Sequence, residues 1–75
     1  MQRLNAQRVL ELRKERGWSQ ARLAFEANLH PSSVRNYERG QNPGLAQLAA
    51  LATALGVPIE ELLTNEEPAT PRGAA

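Results

Sequence analysis

The sequence contains no cysteine and a single histidine, His30. Those two counts exclude a disulfide framework and any zinc site built from Cys and His. No apolar run approaches the roughly 20 residues that a membrane span needs. The polar start, Met1 to Asn5, lacks the apolar stretch of a signal peptide, so the expected location is the cytoplasm. There is no His/carboxylate cluster, and no glycine-rich phosphate loop followed by Lys. An enzyme is therefore not expected, and no catalytic residue, cofactor or metal is assigned. Strand-like alternation is missing throughout. A second domain that senses a small-molecule ligand is not expected within these residues.

What is present is enough for one domain. A chain of 75 residues builds a single small core, worth about 3–5 kcal/mol of net stability. With disulfides and metals removed from the usual reinforcements, tight helix packing or a partner chain remains. The net charge is only +1, but its distribution is uneven. Residues 1–40 carry eight basic side chains against four Glu, whereas residues 41–75 carry Arg72 against four Glu. Asymmetry of this kind points to a nucleic-acid face on the first half.

Helix punctuation marks every boundary. Asn5 can cap a first helix that Gly17 ends in a left-handed turn. Val9, Leu12 and Arg16 share one face of it. Ser19 can cap a second, with Trp18 and Leu23 spaced as a hydrophobic staple. Leu23, Ala24 and Ala27 continue its apolar face until Asn28, a residue that tolerates the left-handed conformation. Pro31 suits the first position of a third helix, where its missing N–H has no partner to lose. Val34 and Tyr37 form its inner side, and Gly40 stops it. After the turn Asn42-Pro43-Gly44 comes a fourth helix whose stripe is Leu45, Leu48, Leu51, Ala52 and Leu55. Gly56 closes it, and Pro58 opens a short fifth helix through Leu62 and Leu63. From Thr64 the composition cannot bury a core. The expected division is thus a domain over 1–63 and a disordered tail over 64–75.

Two short helices joined by a tight corner have a helix-turn-helix layout. The residues Ser19-Gln20, Leu23-Ala24, Glu38-Arg39-Gly40, Asn42-Pro43 and Ala54-Leu55-Gly56-Val57, followed by Glu61-Leu62-Leu63, make the sequence resemble the Cro and lambda-repressor type of regulator, the XRE family. The resemblance covers roughly Asn5 to Leu63. It implies an all-α fold of five compact helices and sequence-specific binding of double-stranded DNA by a small transcriptional regulator. The second helix would cross the DNA backbone, with Gln20 on a phosphate. The third would enter the major groove by its N-terminal residues. Positions matching the family's base readers are Pro31, Ser32, Ser33 and Asn36, with Arg35 adjacent. Asn pairs well with adenine and Arg with guanine, which makes Asn36 and Arg35 the leading readers. Arg13 and Glu38 match an ion pair linking the first helix to the third; two unrelated surface charges would look the same in sequence.

Several positions depart from the family pattern. Pro31 replaces a polar reader, and His30 replaces a Ser or Thr cap. Arg22 stands in an early turn where Glu usually complements the helix dipole, a choice that a phosphate contact would explain. Tyr37 takes a position usually held by Ile or Leu, and core packing is expected of it, as of Trp18. Arg39 can serve as a phosphate ligand or as a C-terminal dipole partner. The loop Gln41-Asn42 carries no charge where relatives place Lys or Arg, so few phosphates would be neutralised and non-specific binding should fade quickly with salt.

The fourth helix has no charged residue, and Ala46, Ala49, Ala50, Thr53 and Ala54 lie opposite its Leu stripe. This face, with the fifth helix, is expected to form a homodimer on a palindromic operator. The alternative is a protein-interaction module, antitoxin-like or otherwise partner-binding, that keeps the fold. Low net charge, the neutral loop and Pro31 speak for it. A tail beginning after Leu63 is too short to wrap a toxin.

Overall fold

The computed structural model describes residues 2–65. In chain order these form β1 (Gln2–Leu4), α1 (Ala6–Glu15), α2 (Gln20–Ala27), α3 (Pro31–Glu38), α4 (Leu45–Leu55), a 3₁₀ turn (Ile59–Leu62) and β2 (Leu63–Asn65).

The caps explain where the helices begin and end. Asn5 Oδ1 accepts from the Arg8 amide at 3.1 Å, and Ser19 Oγ accepts from the Arg22 amide at 3.0 Å. Each such cap satisfies an amide that the helix itself leaves unpaired, an effect of about 1 kcal/mol. Asn28 ends α2 at φ 58°, ψ 44°, and the Leu29 amide folds back onto the Ala24 carbonyl at 2.8 Å. That left-handed residue produces the sharp corner between α2 and α3.

The core lies where α1, α2, α3 and α4 converge. Val9, Leu23, Val34, Leu51 and Leu62 are fully enclosed, with Tyr37, Leu48, Ala52 and Leu55 buried around them. Trp18 and Leu29 pack against this cluster from its edge. Tyr37 is thus a core residue, as its spacing with Val34 predicts.

Four expectations need correction. The fifth helix is a single 3₁₀ turn of four residues entered from Pro58. Only those four residues separate Pro58 from the extended Leu63, so the tighter i→i+3 pattern closes there instead of an α-helix. The all-α class holds, but the fold also carries a two-stranded sheet. β1 and β2 pair antiparallel in the register Gln2↔Asn65, Arg3↔Thr64, Leu4↔Leu63, which puts Thr64 and Asn65 inside the domain rather than in a tail. Strands of three residues are too short to display alternation. Residues 66–75, the remainder of that tail, lie outside the described residues. On α1 it is Arg13, not Arg16, that is buried among the core helices. Leu45, expected in the α4 stripe, is 76% exposed: at the first position of α4 it overhangs the core's edge, one turn before Leu48.

Among the described residues no helix is long and apolar enough to cross a membrane.

Candidate nucleic-acid interface

The helical period sorts α3 into two faces. Val34 and Tyr37 point inward and are buried. On the opposite side Ser32, Arg35, Asn36 and Arg39 share one face, Arg35 and Asn36 lying three and four residues after Ser32 and four and three before Arg39. Arg35, Asn36 and Arg39 are exposed, as is Pro31 at the leading edge, while Ser32 and Ser33 are half-buried. Neither Arg35 nor Arg39 has a salt-bridge partner among the described residues. Their charge is therefore not satisfied within the fold. The structure gathers Ser32, Arg35, Asn36 and Arg39 on one face and leaves Pro31 and Ser33 at its margins.

The back of α3 is held by ions as well as by apolar contacts. Arg13 forms a two-pronged pair with Glu38, Nε to Oε2 at 2.6 Å and Nη2 to Oε1 at 3.1 Å. Side-chain exposures are 11% and 6%, so the pair is internal and not two unrelated surface charges. A third donor of the same guanidinium reaches the Trp18 carbonyl at 2.8 Å. Every buried side-chain polar atom described has a hydrogen-bond partner. An internal ion pair so satisfied fixes α3 relative to α1 and to the start of α2.

Gln20 joins the same network. Its Nε2 donates to Glu38 Oε1 at 3.0 Å, an engagement that sequence reading did not foresee. An amide carries two N–H donors and a carbonyl, so one bond to Glu38 leaves a donor for a phosphate and fixes the side chain that would present it. Arg22 is committed differently. It pairs with Glu26 one turn on, Nε to Oε2 at 2.8 Å, and its guanidinium lies 5.4 Å from the Trp18 ring centre. The Glu26 pair and the ring offset the unfavourable placement of a cation near the start of α2. Arg16 covers the same ring at 5.1 Å and donates to the Leu55 carbonyl at the end of α4. Trp18 is thus an indole flanked by two cations, part core and part cation platform.

His30 replaces a hydroxyl cap with an imidazole that does the same work. Nδ1 accepts from the Ser32 amide at 3.1 Å and stands 2.8 Å from Ser32 Oγ. Accepting from the amide requires Nδ1 to be unprotonated, so the neutral ring carries its hydrogen on Nε2. The Ser32 hydroxyl is thereby oriented before any ligand arrives. The only signal for this in the sequence is a His immediately before Pro31.

Away from α3, Arg8 pairs with Glu61 at 2.7 Å and with Glu11 at 3.4 Å. Donating to the Glu61 carboxylate holds the Arg8 pKa above its ordinary value. This pair ties α1 to the 3₁₀ turn and takes no part in the α3 face.

A short helix anchored from behind, exposing a polar, cation-bearing front across a tight corner from its predecessor, is the arrangement of helix-turn-helix proteins. The chain belongs to the family described as Helix-turn-helix, which matches residues 9–62, and within it to the Cro and lambda-repressor type. It is 44% identical over 69 residues to the immunity repressor protein of Bacillus phage phi105. That match covers 84% of this chain and 48% of the repressor, so the chain spans about half of that relative's length. Among solved structures it resembles the restriction-modification controller protein C.AhdI from Aeromonas hydrophila, with 44% identity and a TM-score of 0.72 over 75% of this chain and 86% of that one. It also resembles SinR, the master regulator for biofilm formation, in complex with DNA: 32% identity and a TM-score of 0.69 over 73% and 90% of the two chains.

Proposed function

We propose that this domain binds double-stranded DNA in a sequence-specific manner as a transcriptional regulator, not an enzyme, with α3 in the major groove. The observation that carries the reading is the outer face of α3, where Arg35 and Arg39 stand exposed with no salt-bridge partner among the described residues. Asn36 and Arg35 read bases, and each good two-point contact contributes about 1–3 kcal/mol of discrimination. Ser32, set by His30, and Ser33 reach base edges from the first turn, beside Pro31. Gln20 and Arg39 contact phosphates, and Arg22 does so to the extent that Glu26 releases it.

A homodimer on a palindromic operator completes the proposal. Ala46 is exposed, Ala49 and Ala50 half-buried and Thr53 exposed. Together they form one uncharged stripe along α4, Ala50 also packing in part against the core. A face of that chemistry, bordered by the 3₁₀ turn, suits a two-fold contact, and two copies of α3 would then meet half-sites about 34–36 Å apart.

Selection of bound sequences from random duplexes tests both parts. A pair of inverted half-sites one helical turn apart is expected. Arg35→Ala and Asn36→Ala should each lose specific binding with an unchanged melting temperature. Failure to enrich any sequence from the pool would reject the reading.

A further inference from the structure

The loop after α3, Gln41 to Gly44, contains no charged residue, yet it lies where phosphate would be met. A helix of eight residues is about 12 Å long and the major groove is about 12 Å wide. A helix reading bases from its first turn therefore brings its last turn, and the loop beyond, to a sugar–phosphate wall. Strand β1 supplies this loop with a cation from elsewhere in the sequence. Leu4 is buried, and its amide donates to Asn42 Oδ1 at 2.8 Å, clasping the strand to the loop. Successive strand residues point to opposite sides, so burial of Leu4 turns Arg3 outward. Arg3 is exposed, and its Nη2 donates to the Gly40 carbonyl at 3.4 Å across a separation of 37 residues. The seam between strand and loop is a cleft of about 180 Å³ lined by Arg3, Leu4, Asn42, Pro43, Leu48 and Leu63.

We infer that Arg3 is a DNA-phosphate ligand, placed by β1 to provide the positive charge that the loop itself lacks. The inference rests on the DNA-binding reading above and extends it to a residue outside the helix-turn-helix. Five N–H donors in a planar fork let one guanidinium hold the Gly40 carbonyl and a phosphate oxygen together. Arg3 is exposed, and the contacts it makes at such a site hold a long charged side chain only weakly. Arg39, at the C-terminal cap of α3, supplies a neighbouring charge from the end of the helix.

A salt titration of duplex binding by fluorescence anisotropy, between about 50 and 200 mM salt, tests this. The probes are the selected operator and a scrambled duplex of equal length. Loss of one phosphate contact makes the slope of log K against log salt shallower by about 0.9 for each copy bound. Arg3→Gln should show that change on both duplexes alike. Arg3→Lys should keep the wild-type slope, because it keeps the charge while losing the planar fork. Adding Gln41→Lys to the Arg3→Gln variant should restore the slope. A wild-type slope in Arg3→Gln overturns the inference, as does equal loss in Arg3→Lys and Arg3→Gln, which would mark the Gly40 bond as purely structural. If the wild-type protein binds neither duplex, the DNA-binding reading fails and takes this one with it. If it binds, and Asn36→Ala abolishes operator preference while Arg3→Gln leaves the slope unchanged, only the role of Arg3 falls.

Discussion

Arg13 and Glu38 show how much one internal pair decides in a domain of this size. Removing either partner strands a buried charge, and the typical cost is about 3–5 kcal/mol, comparable to the whole net stability of such a core. Arg13→Met or Glu38→Leu alone should therefore leave the domain largely unfolded at 37 °C by circular dichroism. The double variant Arg13→Met with Glu38→Leu should recover most of the loss, because neither charge is then orphaned. The double variant should also bind DNA less tightly, since Gln20 loses its acceptor. His30 makes a smaller contribution. His30→Ala removes a cap and should cost about 0.5–2 kcal/mol in urea unfolding, whereas His30→Ser should stay close to wild type. Both pairings illustrate what residues alone conceal: the resemblance named Arg13 and Glu38 as a pair, but the third member, Gln20, became visible only once three helices were in place.

At the scale of elements, the four α-helices were legible because each carries its own start and stop. Asn5, Ser19, Asn28, Pro31 and Gly56 act locally, and the structure uses all five as caps or first-turn residues. Where the signal was missed, no local cause existed. β1 and β2 hold three residues each, and only pairing across the whole chain makes them strands. The 3₁₀ turn has the composition of a helix and lacks only length. The outward face of α3 was legible from the same 3.6-residue period that places Val34 and Tyr37 inside. Arg16 was not, because a cation bound to the carbonyl at the end of α4 leaves no trace in the spacing of α1. That bond complements the negative end of the α4 dipole. Gly56 stands beside it at φ +72°, and a Cβ there would lie 2.9 Å from Arg16 Nη2. Gly56→Ala should therefore destabilise by about 1 kcal/mol or more, through backbone strain and displacement of Arg16, in a thermal melt.

For the molecule as a whole, the question is what covers α4. The stripe Ala46, Ala49, Ala50 and Thr53 carries no charge, and among the described residues Leu45 and Phe25 are the large apolar side chains that remain 76% and 77% exposed. If α4 joins two copies, Ala46→Glu places like charges near each other across the two-fold axis. Sedimentation at tens of micromolar, a concentration of the order at which weak self-association is read, should then show a monomer for this variant and a dimer for the wild type. The melting temperature of the isolated monomer should be little affected, because Ala46 is exposed. A wild-type protein that sediments as a monomer with and without DNA would reject the contact.

The ladder between β1 and β2 also makes the described chain nearly circular. Gln2 sits opposite Asn65, and paired antiparallel residues are about 4.5–5.5 Å apart between Cα atoms, a gap that a short Gly-rich bridge would close. Joining those two positions and reopening the backbone between α1 and α2 would give a rearranged gene order with the same core. Such a permuted protein should still fold, with its new ends at Gly17.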